Sequence, residues 1–293
     1  MSRASRERWL AESSWLAAHL QDPDLRLVDM RGAVRVAARD GVQHAEYVGL
    51  PDAYEAGHIP GAVFLNWTTD IVDAADPVPA QVAPPERIAA VLGAAGIGDQ
   101  TTVVAYDDHP SSQFATRLWW VLRYYGHDKV QVLDGGWPRW QREGYPSSTE
   151  RPSYPAAAFT PRMRGEWRAT AEQVLATLGR PEVTLVDARD QAQYTGTVRR
   201  GPRGGHIPGA VNLPREAVVD DSGCYRGDRE LRQAVEALDL RPEQQIVAYC
   251  NGGVAATSVL FALSLLDYPR LSNYDGSWNE WGSRADLPVE AGR

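Results

Sequence analysis

The sequence predicts an α/β protein built from two tandem copies of one unit, each a mostly parallel sheet with helices on both faces. Three observations predict it. Blocks of the first half of the 293-residue chain recur in order in the second. Short apolar, β-branched runs alternate with helical patterns. A stretch rich in Pro, Ser and Ala separates the copies.

The repeat is legible block by block. LVDMRG at 27–32 returns as LVDARD at 185–190, and GHIPGAVFLN at 57–66 as GHIPGAVNLP at 205–214. VVAYDD at 103–108 matches IVAYCN at 246–251, and DGGWPRW at 134–140 matches DGSWNEW at 275–281. The offset falls from 158 to 148, 143 and then 141, so the first copy carries extra residues around 35–54, which read as a surface loop. Residues 145–161, YPSSTERPSYPAAAFTP, lack apolar periodicity and read as a linker. The division expected is one domain over 1–146, a linker over 147–165 and a second domain over 166–293, each with its own core.

In the second copy Thr170 and Gln173 form a capping-box pattern ahead of VLATL. VTLVD and GAVNL read as strands and residues 229–238 as a helix. QIVAY, CNGGVA and ATSVLFALSLL then give strand, tight loop and apolar helix in one stretch. In such a sheet the reactive groups belong at the C-terminal ends of the strands.

A net charge of -8 argues against nucleic acid and anionic membrane as main partners, since binding a polyanion needs a concentrated positive surface. No run approaches ~20 apolar residues, and the N-terminal stretch lacks a long apolar core with a cleavage site, so cytoplasm is the expected location. Cys224 and Cys250 are the only cysteines, too few for a disulfide framework or a four-ligand zinc site. The question becomes one of a single reactive thiol.

Cys250 follows a strand and precedes a helix, where the first helical N–H groups lack intrahelical partners and the helix dipole is positive. Gly252 and Gly253 let the backbone turn and aim successive amides inward, a nest for a thiolate or persulfide anion. The matching position in the first copy is Asp107, which cannot take up sulfur, so only one copy carries the chemistry. A buried structural thiol is the alternative.

Taken with their order along nearly the whole chain, LVDAR, GHIPGA, the YC-x5 loop running into a helix and DG-x-W-x-x-W resemble the rhodanese family of sulfurtransferases in its tandem form. The resemblance implies that Cys250 forms the persulfide, that Asn251, Gly252, Gly253, Val254, Ala255 and Ala256 cradle it, and that the cleft lies between the domains with no cofactor. It implies a small-molecule sulfur donor, thiosulfate first and 3-mercaptopyruvate second, and cyanide, a thiol or a thioredoxin-like protein as acceptor. The loop lacks the basic pair typical of thiosulfate-specific members and the serine typical of mercaptopyruvate-specific ones. Gln193 stands before Tyr194 where many tandem members have arginine. Arg199, Arg200 and Arg203 are substitutes for holding the donor anion, Arg203 among the expected binding residues. Arg189 is another, although its repeat, Arg31, also fits a structural ion pair.

Other readings are weaker. His206 with Asp187 suggests a Cys, His, Asp arrangement, but His58 repeats the histidine in the cysteine-free copy. Trp137, Trp140, Trp278 and Trp281 repeat likewise and read as packing. Cys224 sits in a polar turn, and Asp107, Asp108 and His109 make a poor metal site. A Cys-x5-Arg phosphatase would need arginine where Ala256 stands. A binding module without turnover is a third class.

Overall fold

The computed structural model describes residues 2–292, so Met1 and Arg293, the outer ends of the two expected domains, lie outside the described residues. The first half carries β1 (Leu10–Ala11), β2 (Leu25–Asp29), β3 (Gly32–Arg39), β4 (Val42–Gly49), β5 (Ala62–Phe64), β6 (Thr102–Tyr106) and β7 (Val130–Leu133). The second carries β8 (Arg168–Ala169), β9 (Val183–Asp187), β10 (Arg199–Arg200), β11 (Val211–Asn212), β12 (Gln245–Tyr249) and β13 (Leu271–Tyr274).

Two five-stranded, wholly parallel sheets result, ordered β1-β7-β6-β2-β5 and β11-β9-β12-β13-β8. The central strands are apolar on both faces, which is stable only where helices cover both. GAVNL contributes just the two residues of β11, and the helix read at 229–238 is Asp228–Glu236. The Thr170 capping box is present in both directions, Gln173 N donating to the Thr170 hydroxyl and Thr170 N to the Gln173 side chain.

Two expectations change. Residues 35–54 are not a surface loop: β3 and β4 form an antiparallel hairpin closed by Asp40 and Gly41, both at positive φ, and the helix Pro51–Ala56 follows. Asp-Gly between alternating strands is a strong signal for such a turn. The hairpin crosses to the other domain, where β10 pairs in parallel with β4. The two cores are not separate either. One apolar cluster runs through both halves, with a smaller cluster on the outer face of each sheet.

The shared core centres on the helices Gln113–Tyr124 and Ala256–Leu265, which are buried nearly all round and pack on one another. Trp119 meets Phe261 edge-on at 5.1 Å, and the Thr116 and Thr257 hydroxyls lie 2.9 Å apart. Beside them Arg117 reaches across to Asp275, Nη1 to Oδ1 at 2.6 Å, both fully buried. The 145–161 segment runs as a strap along the first half, with Phe159 buried and the Tyr154 hydroxyl donating to the Gly61 carbonyl. Among the described residues no helix is long and apolar enough to cross a membrane.

Candidate active site

Cys250 begins the turn between β12 and the helix Ala256–Leu265. The turn is anchored from behind. Cys250 N donates to the Ser277 hydroxyl at 3.1 Å, while Trp278 N and Asn279 N donate to the carbonyls of Cys250 and Asn251. Gly253 lies at φ +70°, and a Cβ there would stand 2.7 Å from the Asp275 carbonyl oxygen, so no larger residue fits. Its carbonyl points outward to Arg117 Nη1 and Asn273 Nδ2, at 3.1 and 2.9 Å. Both donors take up the carbonyl of the turn and leave its amides to be satisfied otherwise. Those of Asn251, Gly252, Gly253, Val254, Ala255 and Ala256 donate to no acceptor among the described residues. Buried amides without partners are rare, and a run of them beside a helix start is a site for an anion.

The first half shows the same turn already filled. Trp137 N donates to the Asp107 carbonyl, as Trp278 N does to Cys250. The Asp107 carboxyl accepts from the amides of His109, Phe114 and Ala115, each at 2.8 Å. Burial pushes Asp107 up to about 7, against the pull of those amides. Between the ordinary carboxylate range and 7 the folded chain holds a proton that the unfolded chain has released. This group therefore favours the native state most at acid pH, and its contribution declines as pH rises through that window. A carboxyl carbon NMR titration of Asp107 should show its inflection near 7; an inflection below 5 contradicts this.

Cys250 is 3% exposed but lines a cavity of about 380 Å³ that both halves enclose. The hairpin supplies Val34, Gln43 and Tyr47, and the filled turn of the first half supplies His109 and Gln113. Burial and the nearby Arg215 charge push His109 down to about 4, so its imidazole is neutral at physiological pH. Its Nδ1 accepts from Ser111 N at 3.2 Å. Gln193 occupies the wall in place of the expected arginine. Asn251 Nδ2 donates to its carbonyl oxygen at 2.8 Å, and Gln193 donates on to Gln43. Asn251 Oδ1 is buried without a partner.

The arginines are redistributed. Arg189 does not face the cavity: 1% exposed, it clasps Asp187 and the Gly205 carbonyl and lies over Trp278 at 4.4 Å. Arg31 does the same with Asp29, the Gly57 carbonyl and Trp137. Arg203 is also withdrawn, because four backbone carbonyls, of Trp281, Gly282, Arg284 and Leu287, take up its guanidinium. Arg200 and Arg215 are the arginines that line the cavity. Arg215 was not among the residues singled out from the sequence, yet its repeat position is Trp67, a divergence like that of Cys250 from Asp107. His206 stacks on Tyr194 as His58 stacks on Tyr54, and each ring bonds to that tyrosine's carbonyl. Cys224 sits apart, half-buried near Arg139.

Comparison with known proteins agrees with the duplicated fold. A family model for the rhodanese-like domain matches residues 12–143 and 170–284. The chain belongs to the rhodanese-like domain family. Among rhodanese relatives it is 33% identical to the sulfur carrier protein TtuD of Thermus thermophilus, over 97% of this chain and 96% of that one. It is also 33% identical to the 3-mercaptopyruvate sulfurtransferase of Escherichia coli, over 96% and 98%. The crystal structure of SseA from Escherichia coli, a 3-mercaptopyruvate sulfurtransferase, superposes with a TM-score of 0.80 at 31% identity, covering 92% of this chain and 98% of that one. In rhodanese terms, the first domain here is the one whose turn is closed by its own carboxyl group.

Proposed function

We propose that this sulfurtransferase carries sulfur as a persulfide on Cys250, taking it from a small anionic donor and passing it to a thiol or cyanide. The observation that carries the proposal is the run of six unpartnered amides in the turn that begins at the thiol-bearing residue. They suit the thiolate before transfer and the persulfide after it. With thiosulfate, the Cys250 thiolate attacks the outer sulfur, the S–S bond breaks, and sulfite leaves with the bonding pair. Cyanide then attacks the outer sulfur of the persulfide, departing as thiocyanate and restoring the thiolate. With 3-mercaptopyruvate the C–S bond breaks instead, and the thiol proton ends on carbon to give pyruvate. The Escherichia coli relative and a cavity roomy enough for an organic acid favour this second donor as the alternative.

In this reading residues 166–293 are the catalytic domain, 1–146 its inactive partner and 147–165 the linker. The protein works in the cytoplasm, with a small thiol or a thioredoxin-like protein as acceptor. Arg200 and Arg215 replace Arg189 and Arg203 as the groups that hold the donor's anionic end. Steady-state kinetics with each donor tests this. Arg200→Gln and Arg215→Gln should each raise the donor KM about tenfold with a smaller change in kcat. Unchanged KM in both variants removes the arginines from donor binding, and comparison of kcat/KM for the two donors decides between them.

A further inference from the structure

The hairpin that the first domain lends to the second delivers one group whose chemistry the cavity leaves open. Tyr47, on β4, lines the cavity with Cys250. Its ring is set edge-on against Trp67 at 5.4 Å. Its oxygen rests on the cradle: a Cβ built on Gly252 would lie 3.1 Å from Tyr47 Oη and 3.1 Å from Asn279 Nδ2. Two donors converge on that oxygen, Arg200 Nη2 at 2.9 Å and Asn279 Nδ2 at 3.0 Å. Asn279 is itself tied to the cradle, its backbone N donating to the Asn251 carbonyl at 2.8 Å.

A phenol oxygen that already accepts two hydrogen bonds has only its proton left to offer. Among the described residues nothing accepts that proton. A cationic donor on the oxygen also polarises the O–H bond, which makes it a better donor. We propose that Tyr47 is a catalytic residue of the sulfur-loading step, its hydroxyl donating a hydrogen bond to the anionic donor at the cradle as charge shifts onto the departing fragment. The proton stays on the phenol oxygen throughout, so no acid or base need regenerate it. The group acts as an oxyanion-hole donor does, fixed before the charge arrives. This inference rests on the reading that Cys250 accepts sulfur.

The test compares wild type with Tyr47→Phe, which removes the hydroxyl alone. Single-turnover loading with thiosulfate is followed by mass spectrometry of the Cys250 peptide, alongside alkylation of Cys250 by neutral iodoacetamide. The expected result is a loading rate lower by about 10- to 100-fold with alkylation and melting temperature close to wild type. Loading at the wild-type rate overturns the proposal. So does a parallel loss of loading, alkylation and melting temperature, which marks a structural role. Tyr47→Trp, which keeps an aromatic wall but moves the polar hydrogen, should load no faster than Tyr47→Phe; recovery of wild-type loading in it also overturns the proposal. Failure of wild type itself to gain sulfur on Cys250 is a different result, and it removes the persulfide reading before Tyr47 is reached.

Discussion

Cys250→Ser protein exposed to thiosulfate or 3-mercaptopyruvate gains no sulfur, and its turnover falls at least about a thousandfold with either donor. The hydroxyl is a poor nucleophile at neutral pH and forms no persulfide. The fold should survive the exchange, because the Cys250 sulfur makes no hydrogen bond among the described residues and serine is the smaller side chain. Cys224 serves as the internal control: burial, its largest influence, pushes that thiol up, away from the reactive form. Mass spectrometry of the two cysteine peptides should therefore show a gain of about 32 Da on the Cys250 peptide of wild type and on neither peptide of the variant. Sulfur appearing on Cys224, or turnover persisting in Cys250→Ser, would falsify the assignment.

Arg117→Ala is expected to be the most destabilising single change at the domain boundary. The guanidinium is fully buried and joins three partners: Asp275, the Gly253 carbonyl and the Ala80 carbonyl. Removing one member of a buried ion pair leaves the other charge uncompensated, at a cost of about 3–5 kcal/mol. Asp275 keeps an amide bond from Val82 and a longer contact with Arg168 at 3.5 Å, which places the expectation at the lower end of that range. The change also releases one of the two donors that hold the Gly253 carbonyl away from the cradle, so sulfur loading should fall even under conditions where the variant is folded. Urea denaturation read by tryptophan fluorescence provides the measurement, with loading kinetics at low denaturant beside it. A midpoint equal to wild type shows that the pair contributes nothing net.

The sequence was informative about what the two copies share and about the point at which they part. Blocks in register located the paired sheets, and Cys250 stood out because Asp107 occupies its place. The repeat of His58 and His206, and of Arg31 and Arg189, carried the same kind of information, since a side chain doing the same work in both halves is holding the fold. What escaped was whatever one half adds to the other. The 35–54 insertion has no counterpart for comparison, and its Asp40-Gly41 turn signals a hairpin without saying which surface the hairpin will cover. Arginine placement was illegible for a different reason. Arg203 is withdrawn by carbonyls that converge only once the helix Ser277–Trp281 ends beside it, and sequence neighbours give no sign of that. Arg215 is legible by the same copy-against-copy contrast as Cys250, one residue past the GHIPGAVNLP block, where the first half has Trp67.

The pairing of β10 with β4 limits how the molecule can breathe. Swinging the halves apart would unzip that ladder, split the continuous apolar core and strand the Arg117–Asp275 charges, so a hinge there opposes three cooperative interactions at once. On the proposed function, sulfur enters and leaves through the mouth of a vessel of fixed shape. An acceptor qualifies by being slender enough to extend a nucleophile down to Cys250, and a bulky protein can do so only through a projecting tip.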